Sequence, residues 1–181
     1  NRQLMPGQTL WYERDLIINT IPANMRCILH FGAVDQSCKV FINNQEVGEH
    51  TGGYLPFSID ITEHIKYGTN ILTLSVTDQS DRSYHSRGKQ KLKRGGMFYT
   101  AQSGIWQTVW MEWVPQLYIK SLRITPDMNE NLVRLEIMMN DDFKPFDTDN
   151  FVFKVEIYDK EKLFATSVSK LPVINIPLKN Y

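Results

Sequence analysis

The chain has 181 residues, and its 20 Lys plus Arg balance 20 Asp plus Glu, for a formal charge of zero. That balance excludes a dedicated nucleic-acid binder, which carries a basic excess. A 42% hydrophobic and 22% charged composition excludes global disorder. No apolar run approaches the roughly 18–20 residues of a membrane helix, so no membrane partner is expected. Val, Ile and Thr number 39 and Ala only 4. Stiff, branched side chains fit a pleated surface better than a helix, so the chain reads as all-β.

Strands are predicted in quick succession. Trp11 to Asn19 is the first. Met25 to Val34 puts Met25, Cys27, Leu29 and Phe31 on one face, and Cys38 to Ile42 puts Cys38, Val40 and Ile42 on one face. Asn43-Asn44 suits a two-residue hairpin, because Asn tolerates positive φ. Gln45 to Glu49 returns, Gly52-Gly53 breaks the ladder, and Tyr54 to Ile61 resumes it. Thr62 to Tyr67 reads as one helical turn, capped by Thr62 and ended by Gly68. Ile71 to Thr77 buries Leu72, Leu74 and Val76. The unpatterned stretch from Asp78 to Gly96 is a long loop, a feature that is usually functional or disordered. Gly104 to Val114 is a strand whose Trp106, Trp110 and Trp113 are expected in the core.

Pro115 marks a change of texture. Leu117 to Thr125, Leu132 to Met139, Phe151 to Tyr158, Leu163 to Ser169 and Val173 to Leu178 are short strands at sandwich-like spacing. Pro126 to Asn131 and Asn140 to Asn150 read as turns. Two domains follow, 1–115 and 116–181, the second short for a complete seven-stranded sandwich of about 100 residues. Such a sandwich exposes apolar surface and strand edges, so self-association of residues 116–181 is expected. The turn near Gln36-Ser37 separates Cys27 from Cys38. Two free thiols are expected, which favours a reducing compartment and leaves localisation otherwise open. The chain opens at Asn1 without a signal-peptide pattern and reads as an internal fragment.

Chemistry-bearing motifs are sparse. Glycosidic hydrolysis needs two carboxyl groups about 5 Å or more apart. Asn129-Glu130 resembles the Asn-Glu pair that ends a barrel strand in many glycosidases but falls in a hairpin turn, and Asp141-Asp142 is a loop signal. His30, His50, His64 and His85 show no zinc-ligand spacing, so neither a metal nor a cofactor is expected. Arg87, Lys89, Lys91, Lys93 and Arg94 form a basic run. It reads as a solvated loop, or as a reach by Arg87, Lys89 or Gln90 toward a neighbouring domain or an anionic ligand. Tyr54, Phe98, Tyr99 and Trp106 lie beside polar loops. Aromatic faces there suit the C–H faces of a pyranose, with core packing as the alternative.

Trp11-Tyr12-Glu13-Arg14 resembles the W-Y-x-R strand of the sugar-binding domain of glycoside hydrolase family 2. Leu29 to Thr62, with its V-x-x-N-N-Q-E-V-x-E-H-x-G-G-Y-x-P-F run, is similar to that domain's central block in β-glucuronidases. Ser103 to Glu112, SGIWQTVWME, is similar to the closing block of β-galactosidase-type members. The resemblance implies a jelly-roll sandwich of the galactose-binding-domain type, then an incomplete immunoglobulin-like sandwich. The catalytic glutamates would sit on a C-terminal barrel beyond Tyr181, so no catalytic residue is expected here. The family's opening strand, upstream of W-Y-x-R, is expected to be missing as well.

The resemblance makes a β-glycoside the ligand of the whole enzyme, the barrel a partner, and the parent a homo-oligomer. Members commonly carry an Asp five residues before the S/A-G-I block. Phe98 stands there instead, so Asp81, Arg87 and Gln90 are the candidate substitutes and Tyr99 a candidate stacking ring. Galactoside, glucuronide and mannoside stay open. A free-standing carbohydrate-binding module is the first competing reading, and an adhesion protein the second.

Overall fold

The computed structural model describes residues 3–140 and 151–178. It divides at Val114/Pro115 into two compact units. Unit 1 is built mainly from two sheets, the first antiparallel throughout. The first has the order β1-β7-β4-β5, from Leu10–Ile18 (β1), Gly68–Thr77 (β7), Ser37–Ile42 (β4) and Gln45–Thr51 (β5). The second has the order β11-β2-β6, from Val109–Pro115 (β11), Met25–Phe31 (β2) and Phe57–Asp60 (β6). Strands that alternate apolar and polar residues bury one face each. Cys27, Leu29 and Phe31 of β2 therefore share a core with Cys38, Val40 and Ile42 of β4 and with Leu74 and Val76 of β7.

Local chemistry explains the turns. Asn43 and Asn44 take φ of 52° and 69°, the doubly positive pair that a tight hairpin requires. Asn43 also ties the hairpin to β7: its Oδ1 accepts from Ile71 N at 3.0 Å and its Nδ2 donates to Asn70 Oδ1 at 2.9 Å. Asn70, fully buried, accepts from Lys66 N and donates to Lys66 O, so it fixes the loop before β7. The segment expected as a capped helical turn is a single 3-10 turn, Thr62–His64, and Thr62 does not cap it. Its hydroxyl instead accepts from Cys27 N at 2.9 Å and bonds Asp60 Oδ1, linking β6 to β2. Gly68, at φ 89°, opens β7 rather than ending a helix.

Three further expectations are corrected. The second strand stops at Phe31. Val34–Asp35 (β3) is a separate two-residue strand paired with Gly104–Ile105 (β10). Cys38 lies opposite His50 and Val76, in a different sheet from Cys27, so the thiols are free for a reason other than hairpin register. The tryptophan-rich strand breaks between β10 and β11. Only Trp113 packs against the core, while Trp106 and Trp110 are 51% and 46% exposed. Trp110 stacks on His30 at 4.8 Å on the outer face.

The stretch read as an unpatterned loop carries a 3-10 turn at Ser80–Arg82 and the strand Gln90–Lys91 (β8), which pairs in parallel with Tyr99–Thr100 (β9).

Unit 2 has the sheet β12-β13-β16, from Ile119–Asp127 (β12), Leu132–Met139 (β13) and Val173–Pro177 (β16). A hairpin of Phe153–Asp159 (β14) and Lys162–Ser169 (β15) joins it. Leu135, Ile137, Phe153, Ile174 and Ile176 form its core. Glu130 is exposed in the β12–β13 turn, where Asp127 Oδ1 accepts from its backbone N–H at 3.0 Å. The turn expected at 140–150, with Asp141-Asp142, lies outside the described residues beyond Asn140.

Candidate functional site

A cleft of about 1630 Å³ opens in unit 1. Its wall is formed by the residues around β3, β8, β9 and β10, together with Tyr54 and the segment before β1. Its construction begins at two glycines that permit close approach. Gly104, at φ 100°, lies against Tyr12, and a Cβ there would strike the Tyr12 hydroxyl. That hydroxyl accepts from Ile105 N at 3.3 Å, so the W-Y-x-R strand fixes the S-G-I segment. Gly53 lies against Asp35, and a Cβ there would strike Asp35 Oδ1. Trp106 closes the arrangement, its Nε1 donating to Gly53 O at 2.7 Å. Tyr54 meets Trp106 edge to face, with ring centroids 5.8 Å apart.

Asp35 is the one acidic side chain among the described cleft-lining residues. It is only 8% exposed, and its Oδ1 has no hydrogen-bond partner. Burial, then the nearby Asp78 carboxylate, pushes its pKa up to about 6, with His85 pulling the other way. Asp78 itself is saturated. It accepts from Ser80 N at 2.7 Å, Ser80 Oγ at 3.3 Å and Ser103 Oγ at 2.6 Å, and lies 3.3 Å from His85 Nε2. Asp78 therefore ties the 80–85 segment to the S-G-I block, while Asp35 Oδ1 is packed against Gly53 and the Asp35 residue lines the cleft. One available carboxylate can accept from a hydroxyl. It is not the flanking pair that glycosidic hydrolysis requires.

The four residues singled out from sequence separate in space. Gln90 lines the cleft, and its Oε1 accepts from Gln102 N at 2.6 Å. Asp81 lies in the Ser80–Arg82 turn, outside the lining. Arg87 turns back on its own loop, donating from Nη1 to Ser83 O at 2.8 Å. Tyr99 is 70% exposed beside the cleft wall, paired with Gln90 in β8–β9. Phe98 sits under the Lys91 ammonium at 3.9 Å. Sequence reasoning missed Asp35. The available signal was its place inside the Leu29–Thr62 block, two residues before β4.

The sequence model described as "Glycosyl hydrolases family 2, sugar binding domain" matches residues 4–115. The chain belongs to glycoside hydrolase family 2. A Formosa agariphila protein described as "Putative beta-glucuronidase" is 36% identical over 126 residues, which are 69% of this chain and 14% of that protein. A β-galactosidase of Thermoanaerobacter pseudethanolicus is 28% identical over 160 residues, 87% of this chain and 21% of the enzyme. Among solved structures, a β-glucuronidase from an uncultured Clostridium sp. superposes with a TM-score of 0.66 at 26% identity, covering 95% of this chain and 30% of that one. The family 2 chain thus spans between about a seventh and a third of these relatives' lengths.

Proposed function

We propose that this chain is the non-catalytic sugar-binding region of a retaining β-glycosidase that hydrolyses O-glycosidic bonds of the β-galactoside or β-glucuronide kind. Its cleft would wall one side of an active site whose two catalytic glutamates sit on a barrel domain of the longer enzyme. Unit 2 would be the first part of an immunoglobulin-like domain between the two. The carrying observation is the cleft itself, lined by the Asp35 carboxylate together with Trp106 and Tyr54. Sugars need that combination of ring faces and hydroxyl acceptors. Gln90 supports the reading from the same wall, and Tyr99 flanks it.

Removing residues 84–97 from the longer enzyme is expected to lower kcat/KM on the preferred β-glycoside by about tenfold or more, by loosening substrate positioning. Unchanged hydrolysis across a panel of β-galactosides, β-glucuronides and β-mannosides would refute the role. Calorimetry of the isolated chain with galactose, mannose and glucuronate is expected to give binding no tighter than the millimolar range. Micromolar affinity for any of them would favour a free-standing carbohydrate-binding module.

A further inference from the structure

The cleft is electrically polarised. Its single lining carboxylate is the buried Asp35, whereas the exposed Lys93 and Arg94 line it from the segment that follows β8. Neighbouring cations are already engaged: Lys91 lies over the Phe98 ring and Arg87 bonds Ser83 O. Among the described residues, no ion pair engages Lys93 or Arg94.

The segment that presents them is braced. Gly95 and Phe98 exchange backbone hydrogen bonds of 3.4 and 3.1 Å around Gly96 at φ 58°. Tyr99 N donates to Lys89 O at 2.8 Å and Ala101 N to Lys91 O at 3.2 Å. The cleft, at about 1630 Å³, exceeds the roughly 300–1,000 Å³ of a usual small-molecule pocket and has room for more than one sugar ring.

We propose that this cleft reads a two-ring pattern: a neutral hexose against Trp106 and Tyr54 with a hydroxyl on Asp35, and a carboxylate or sulfate ester on the adjoining ring at Lys93 and Arg94. The inference rests on the sugar-binding reading above. Asp35 lines the cleft as a carboxylate, a group that accepts hydrogen bonds, so a ring resting on it would donate from a hydroxyl. A carboxylate on that ring would face a like charge in a poorly solvated place. The exposed cations favour an anion one ring further out, through an attraction that added salt weakens.

The test titrates the whole 181-residue chain by NMR with four disaccharides at 50 mM and 500 mM NaCl. They are lactose, lactose sulfated on its glucose ring, galactosyl-β-glucuronate and glucuronosyl-β-galactose. Two exposed charge contacts predict that the second and third bind roughly tenfold more tightly than lactose at low salt. The advantage should shrink at high salt and vanish in a K93Q/R94Q variant whose thermal midpoint is unchanged. Glucuronosyl-β-galactose should bind more weakly than lactose. Equal affinities for lactose and the two outer-ring anions, or an advantage that K93Q/R94Q retains, overturns the two-ring pattern and leaves the sugar reading standing. Shifts with none of the four overturn the two-ring pattern, while the sugar-binding reading is judged by the 84–97 deletion in the longer enzyme.

Discussion

Burying Asp35 beside a second carboxylate leaves a measurable trace. Its pKa is raised to about 6 from an ordinary 3.8, so between those values the folded chain binds more protons than the unfolded one. Asp35 therefore favours folding most below about pH 4, and that advantage is lost as pH rises through 6. Asp35→Asn removes the charge while nearly preserving shape. Urea unfolding should find the variant more stable by up to about 3 kcal/mol at pH 7, an advantage that vanishes toward about pH 3. A variant no more stable at pH 7 would show that the carboxylate bears no burial penalty. This residue was hard to read in the sequence because Val-Asp-Gln is an ordinary strand-to-turn signal. Its burial depends on Gly53 arriving from another hairpin, which periodicity does not encode. Asp81 lies in the Ser80–Arg82 turn, and Arg87 gives one of its five N–H donors to Ser83 O.

Elements were legible where local chemistry decides them. β4 and β5 follow from alternation and from two consecutive Asn residues able to take positive φ, and the five strands of unit 2 fall close to their predicted spans. Tryptophan placement was not legible. A half-buried surface strand and a core strand share the same residue types, so Trp106 and Trp110 read as core. β12 shows what pattern alone overlooks. Leu122 and Ile124 lie opposite Ile137 and Leu135, which are buried, and cross-strand partners share a face. Leu122 and Ile124 are nevertheless 51% and 62% exposed, on a strand at the edge of its sheet. Such an edge invites pairing. Sedimentation of the 181-residue chain should show mass rising with concentration, and L122K/I124K should suppress the rise. A monodisperse parent at high concentration counts against this.

At the scale of the molecule, the two thiols report on the core of unit 1. Cys27 and Cys38 are buried in different sheets, and burial pushes both up to about 11. A thiol-specific chromogenic reagent at pH 8 should leave both unmodified in the folded chain and modify both in urea. Fast labelling of either without denaturant would contradict the packing. The all-β class and family 2 membership were both legible, from composition and from three ordered sequence blocks. The blocks have a physical basis, since Tyr12 of the first meets Gly104 of the last and Gly53 of the second meets Asp35. The pairing pattern has one more consequence. β1 zips onto β7, Leu10 against Val76, so the main sheet of unit 1 closes only after every intervening strand exists. Unit 2 places β12 beside β13 and β14 beside β15, its successive neighbours in the chain. High contact order should make the first unit the slower to assemble, since its entropic cost of loop closure falls due before most of its contacts form.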